Sequence, residues 1–248
     1  MMAGLALLAP GPAAAQEHCP LTAIGTVKVA AVRDGRTVLL ADGRTLRLAA
    51  IEVSEQSRAA LQALIGGRQL RLAKLGSDRD RYGRVIAFAF AGDDQQSVQQ
   101  ALLEEGQARV SGRVGNKACA DELLKAEKGA RTARRGLWAD PNFAPLPAES
   151  STRLKDYRGR FALVEGKVLS VHASGGTIYL NFGRRWTRDF SVVILRRNER
   201  AFAAAGLAPQ SLQGRHVLVR GWLEQRRGPV IEADAPEQIE FAGAAAGQ

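Results

Sequence analysis

Apolar and polar residues alternate along three consecutive stretches, "TVKVAAVRD", "RTVLLAD" and "RTLRLAAIE". Such period-two alternation buries one face of a strand, so each stretch is expected as a half-buried β-strand. The turns between them, "RDGRT" and "ADGRT", carry Asp-Gly, the pair that favours tight hairpins. In "SEQSRAALQALIGG" the spacing becomes helical, with Ala59, Leu61, Leu64 and Ile65 on one face. Ser54 is the expected N-cap there, and Gly66-Gly67 the stop. "RQLRLAKL" and "RVIAFAFAG" read as two more strands, and "QSVQQALLEEGQARV" as a helix stopped by Gly106 with a short apolar stretch after it. "CADELLKAEKGARTARRGLWAD" is a longer amphipathic helix with Leu123, Leu124, Ala126 and Ala130 inward. Short strands in this number, with helices after the third and the fifth, predict a small closed barrel.

Pro141, Pro145 and Pro147 stand within seven residues, a density that neither a helix nor a central strand accepts. Residues 141–152 are therefore expected as a stiff linker, between a first domain at 20–140 and a second at 153–242. The second half begins again with strands in "RFALVEGKVLSVHAS", "GTIYLNFG" and "DFSVVILRR". A short helix, "NERAFAAAG", precedes two last strands in "RHVLVRGWLEQRRG" and "PVIEADAPEQIEFA". The order β-β-β-α-β-β is that of an OB-fold, a five-stranded Greek-key barrel. The tail, 243–248, is expected to be disordered.

The 248 residues suffice for two such domains, and 46% hydrophobic with 24% charged is a globular composition. The N-terminal stretch to residue 15 is apolar and rich in small residues, and Ala13-Ala14-Ala15 fits an A-x-A cleavage site. An export signal is expected there, although no Lys or Arg precedes the apolar run. No segment approaches the roughly 20 apolar residues of a spanning helix. The two cysteines, Cys19 and Cys119, in an exported chain suggest one disulfide and a periplasmic or secreted location. They lack the spacing of a zinc or redox motif, and His18, His172 and His216 are too scattered to suggest a ligand set.

A net charge of +10 favours anionic partners. Up to residue 150 there are 20 basic and 16 acidic residues, and beyond it 15 and 9, so the surplus is denser in the second half. Arg184, Arg185 and Arg188 cluster near Trp186 and Phe190, and Arg196 and Arg197 follow. Arginines beside exposed aromatic rings suit single-stranded nucleic acid, whose phosphates meet Arg while its bases stack. A barrel whose aromatic residues serve its own core, or which docks a protein partner, is the alternative reading.

The first half carries its own candidate chemistry. Glu52 and Glu55 follow a strand that bears Arg47, and Arg84 opens a later strand. Two arginines around paired carboxylates suit phosphodiester hydrolysis: guanidinium groups offset charge on the transition state while a carboxylate takes a proton from water. The segments "VRDGRTVLLADGRTLRLAAIEVSE", "DRYGRVIAFAF", "SVQQALLEEGQARV" and "LLKAEKGARTARRGLWAD" resemble, in order, those of the thermonuclease (staphylococcal-nuclease-like) family, over about residues 25 to 140. The resemblance implies a mainly β fold, an OB-type barrel with helices, and cleavage of DNA or RNA with Ca²⁺. It places the family's two phosphate-binding arginines on Arg47 and Arg84, and its base on Glu55. Its metal-binding aspartate at the strand end falls on Glu52, and the first aspartate of its D-G-D-T turn on Asp34. The second aspartate of that turn, a metal ligand in the family, is Arg36 here.

That exchange removes an anionic ligand and adds a cation where Ca²⁺ would sit, a repulsion of several kcal/mol (~4 per unit-charge pair at a dielectric near 20). Three readings follow. Glu52 and Glu55, with Asp34, still hold a metal; or Arg36 acts as a fixed cation in the metal's place; or catalysis is lost and the two barrels form a module binding nucleic acid or protein.

Overall fold

A computed structural model describes residues 18–77, 79–185 and 187–242. The expected signal segment and tail, and Trp186, lie outside the described residues. The first domain opens with strands β1 (Thr22–Val32), β2 (Thr37–Leu40) and β3 (Thr45–Leu48). After β4 (Ile51–Val53) and helix α1 (Ser57–Ile65) come β5 (Gln69–Lys74) and β6 (Val85–Ala91). Then follow α2 (Val98–Glu104), β7 (Ala108–Val110) and α3 (Lys117–Thr132). The five strands β1-β2-β3-β6-β5 close into a barrel, with β3 and β6 parallel. Alternation sets its inside: Val38, Leu40, Leu46, Leu48, Leu70 and Leu72 are buried in the core, while Arg47, out of phase with Leu46 and Leu48, faces the other way.

β1 closes the barrel by bending. Its first half pairs with β5 and its second with β2, with register shifts between Ala23 and Gly25 and between Val29 and Ala31. The stretch "RTLRLAAIE" was expected as one strand, and the structure divides it. The chain turns at Ala50, whose φ of 62° is uncommon for a residue with a Cβ. It resumes as β4, which leaves the barrel to pair with β7 and sets Glu52 opposite Arg109. The helix expected after it also starts later: Gln56 stands at the N-cap of α1 and Ser54 is outside it. The buried Ser57 Oγ instead donates to the Gln107 carbonyl at 2.5 Å, fixing the helix start to the chain before β7. The Asn116 side chain caps α3, and the Cys19–Cys119 disulfide ties the segment before β1 to that helix.

The proline-rich segment lies along the second domain. Leu146–Pro147 form β8, paired in parallel with a later strand, and Leu146 and Ala148 are buried. After α4 (Ser151–Asp156) come β9 (Phe161–Lys167), β10 (Ser170–Ser174), β11 (Thr177–Asn181) and β12 (Ser191–Leu195). Helix α5 (Glu199–Ala204) precedes β13 (His216–Gln225), β14 (Pro229–Glu232) and β15 (Ile239–Phe241). The sheet path runs β10-β11-β12-β14-β13-β9. Only residues 168 and 169 separate β9 from β10, so the two ends of this path follow one another in the chain and its strand order matches that of the first barrel, again with a parallel pair, β12 with β14.

A buried ion pair joins the domains. Arg220 on β13 reaches Glu127 on α3 with two hydrogen bonds of 2.9 and 3.0 Å, and both side chains are fully buried. Arg220 also pairs with Glu240 and donates to the Val110 carbonyl at 3.1 Å. Burial works against its charge, but Glu127 and Glu240 outweigh that and raise its pKa. Ala130 and Trp138 pack beside this pair on Phe161, Leu163 and Leu218 of the second domain.

Candidate phosphodiester site

The hairpin β2–β3 sets Thr37 beside Arg47, so the turn that carries Asp34 and Arg36 lies over the arginine. Gly35 permits that placement: a Cβ there would stand 2.7 Å from the Ser57 side chain and 3.1 Å from Val53. The Arg36 amide donates to Asp34 Oδ1 at 2.8 Å, and its side chain turns inward. Arg36 Nη1 lies 2.6 Å from Glu52 Oε2 and 2.8 Å from the Ile51 carbonyl. Both side chains of this ion pair are largely shielded, with 17% and 14% exposed.

Arg47 is half-buried and, among the described residues, makes no side-chain hydrogen bond or ion pair. Its pKa is lowered, first by burial and then by the charges of Arg36 and Arg84, with Glu52 and Asp34 acting in the opposite sense. The charges of three guanidinium groups thus act on one another, and Arg47 has no counter-ion among the described residues. Arg84 is held by Asp80, with Nε and Nη2 at 2.7 and 2.6 Å from Oδ2. Burial pushes the Asp80 carboxyl up, but the hydrogen bonds from Arg84 and the Tyr82 amide outweigh it and leave it below its ordinary value. Tyr82 is 67% exposed, with the Arg81 and Arg84 guanidinium groups 4.8 and 5.2 Å from its ring centre. Glu55 follows β4 in an exposed turn, and its carboxylate has no partner among the described residues.

Calcium of the kind the resemblance implies does not fit this donor set. Ca²⁺ takes 6–8 oxygens, several from carboxylates. Here the Glu52 carboxylate holds a guanidinium, Asp34 holds an amide, and no group of three or more His, Cys, Asp or Glu among the described residues could hold a metal. What the arrangement offers is an anion site made of arginine, with a free carboxylate on the chain after Glu52.

The second domain carries a separate groove of about 830 Å³. Its floor is the outward face of β10, β11 and β12, lined by the exposed His172 and the half-buried Tyr179 and Asn181, and Arg226 and Arg227 border it from the β13–β14 turn. The loop with Arg184, Arg185 and Arg188 meets that turn: a Cβ on Gly228 would stand 2.6 Å from the Asp189 carbonyl. Arg196 and Arg197 lie at the other end of β12, about 15 Å away at roughly 3.3 Å per residue. The structure thus separates two clusters that are neighbours in sequence. Phe190, expected as an exposed ring among these bases, is a core residue packed on Phe182 at 5.0 Å.

Sequence reasoning missed Arg109 and Trp222. Arg109 is half-buried on β7. Trp222 is 52% exposed on β13 between the buried Gly221 and Leu223. A large aromatic residue out of phase with its strand's buried positions was the available signal for the second; nothing local marked the first.

A closed five-stranded barrel with helices packed on it has the architecture of an OB-type domain. In agreement, residues 37–140 match the family described as Staphylococcal nuclease homologue, and that segment is a staphylococcal-nuclease-like domain. The match takes in Arg47, Glu52, Glu55 and Arg84 and begins just after Arg36. Among curated relatives, the SPbeta prophage-derived endonuclease YokF of Bacillus subtilis (strain 168) is 34% identical over 97 residues, 36% of this chain and 32% of that protein. Protein ParB of Escherichia coli is 27% identical over 132 residues, 46% of this chain and 73% of that protein. The chain therefore spans about a third of YokF and about three quarters of ParB.

Proposed function

We propose that this chain is an exported phosphodiesterase of DNA or RNA in which Arg36 takes the place of a metal. The observation that carries this reading is Arg47: a half-buried cation without a counter-ion among the described residues, within the field of two further guanidinium groups. Such a site lowers the energy of a phosphate that enters it, and more so of the charge that grows on the transition state. Arg47 and Nη1 of Arg84, which Asp80 leaves unused, bind the non-bridging oxygens, and Arg36, fixed on Glu52, supplies a third positive charge. Glu55 accepts a proton from the attacking water as its oxygen bonds to phosphorus. The bond from phosphorus to the leaving oxygen then breaks, and that oxygen takes a proton from solvent. The groove of the second domain, with Tyr179 and its arginine rim, holds another part of the strand. The disulfide supports an oxidising compartment, the periplasm or outside the cell. No helix among the described residues is long and apolar enough to cross a membrane.

The test is cleavage of single-stranded DNA and RNA with Ca²⁺ and with chelator, beside Arg47→Ala and Glu55→Gln. Cleavage should survive chelation and fall by at least 100-fold in each variant, the usual weight of a positioned base. Activity abolished by chelator would overturn Arg36 as the substitute cation. Absence of cleavage in every condition would leave the second reading, a binding module, which the Arg36–Glu52 pair favours because it occupies the carboxylate a metal would need.

A further inference from the structure

A cleft of about 370 Å³ lies where the two domains meet, within the range of small-ligand sites. One wall is the Arg36–Glu52 pair, so the cleft adjoins the arginine cluster around Arg47. Its floor is Arg109, directly opposite Glu52 in the β4–β7 ribbon. The Arg109 guanidinium lies between two rings, 5.4 Å from the centre of Phe143 and 5.1 Å from that of Phe161. Nη1 donates to the Phe161 carbonyl at 3.0 Å, while Nε is buried without a partner. No carboxylate pairs with Arg109 among the described residues, so its charge is left for something else. Burial lowers its pKa, and the charges of Glu127 and Glu52 offset this only in part. The far wall belongs to the second domain: Trp222, half exposed and edge-on to Phe161 at 6.1 Å, and Arg160, exposed over the Tyr157 ring.

Leaving a tryptophan face in solvent beside an unpaired arginine has a cost that a ligand of ring and anion together would remove. We infer that this cleft binds one nucleotide of a single strand, its base on Trp222 and its phosphate between Arg109 and Arg160, next to the phosphate at Arg47. The inference rests on the reading of Arg47 as a phosphate site. It gives the second domain a direct share in the substrate site. It also sets the substrate class, because a base must be out of the duplex stack to enter.

The experiment is anisotropy of labelled 10-nucleotide single strands and of a matched duplex, with every chain carrying Glu55→Gln so that cleavage is suppressed. That chain is compared with the same chain bearing Trp222→Ala, Trp222→Phe, Arg160→Ala or Arg47→Ala. Trp222→Ala should weaken single-strand binding roughly 10-fold and leave duplex binding unchanged, with Trp222→Phe restoring most of the loss. One abasic position moved along the strand should reproduce the loss at a single place, where Trp222→Ala adds nothing further. Equal weakening of single strand, duplex and fully abasic strand would mean a merely structural role and would overturn the inference, as would wild-type affinity in Trp222→Ala and Arg160→Ala. The two readings fail separately: Trp222-dependent binding with no cleavage in any condition sinks only the hydrolase. Cleavage that needs Arg47 while binding ignores Trp222 sinks only the cleft.

Discussion

On the proposed reading, the chemistry of the first domain turns on Arg36. Its guanidinium lies 2.6 Å from Glu52, so one exchange both adds a cation and occupies the neighbouring carboxylate. Arg36→Asp reverses both effects, freeing Glu52 and placing a second carboxylate near it and Asp34. The expected result is a calcium response that the natural chain lacks. Adding Ca²⁺ at about 100 times its dissociation constant should stabilise the variant by about 2.7 kcal/mol, read as a rise in Tm that chelator abolishes. No rise, or an equal rise in the unmodified chain, would show that Arg36 is not what excludes the metal. At this scale the sequence offered candidates. Arg47, Arg84, Glu52 and Glu55 were singled out as candidates from residue type and order, but their roles, and the charge reversal at Arg36, came from the family resemblance. What stayed hidden was direction. Whether Arg36 points at Glu52 or at solvent depends on Gly35 packing against Val53 and Ser57, residues from two other elements.

Elements were readable where alternation was strict. β2 and β3 bury Val38, Leu40, Leu46 and Leu48 as their spacing requires, and the second barrel repeats the strand order of the first. The break at Ala50 was not readable, because alanine carries no turn signal and its positive φ is imposed by the departure of β4 toward β7. Phe190 shows the same limit: its position among arginines suggested exposure, yet the strand beginning at Ser191 draws it into the core. The Cys19–Cys119 link acts at this scale, pinning a segment ahead of β1 to the first turn of α3 across 100 residues of chain. Removing it by a double Cys→Ala change should lower stability by about 4–5 kcal/mol, the loop-closure value for that length, measured as the shift in urea unfolding. A loss under 1 kcal/mol would mean that packing of α3 on α2 and β7 already holds the helix in place.

On the scale of the whole molecule, the two barrels are held in register by charges that no water reaches. Glu127 accepts from the Val110 amide, from Arg131 and twice from Arg220. Nothing local in "LLKAEKGA" or "VLVRGW" told that a glutamate and an arginine 93 residues apart would meet, because the meeting depends on how two domains pack. Truncating one partner strands the other in a buried site, so Glu127→Ala should cost about 3–5 kcal/mol. The pair Glu127→Leu with Arg220→Met should recover most of that loss, since a buried ion pair is worth little more than well-packed apolar side chains. The consequence for function follows from geometry: Arg109 and Trp222 face each other across the cleft only while this interface holds. Glu127→Ala should therefore weaken single-strand binding together with stability, and the double replacement should restore both. Calorimetry checks the first half and anisotropy the second. If Glu127→Ala leaves one unfolding transition of unchanged midpoint, the ion pair does not join the domains. If stability returns in the double replacement and single-strand binding does not, the charges of the interface act on the nucleic acid themselves, beyond fixing the walls of the cleft.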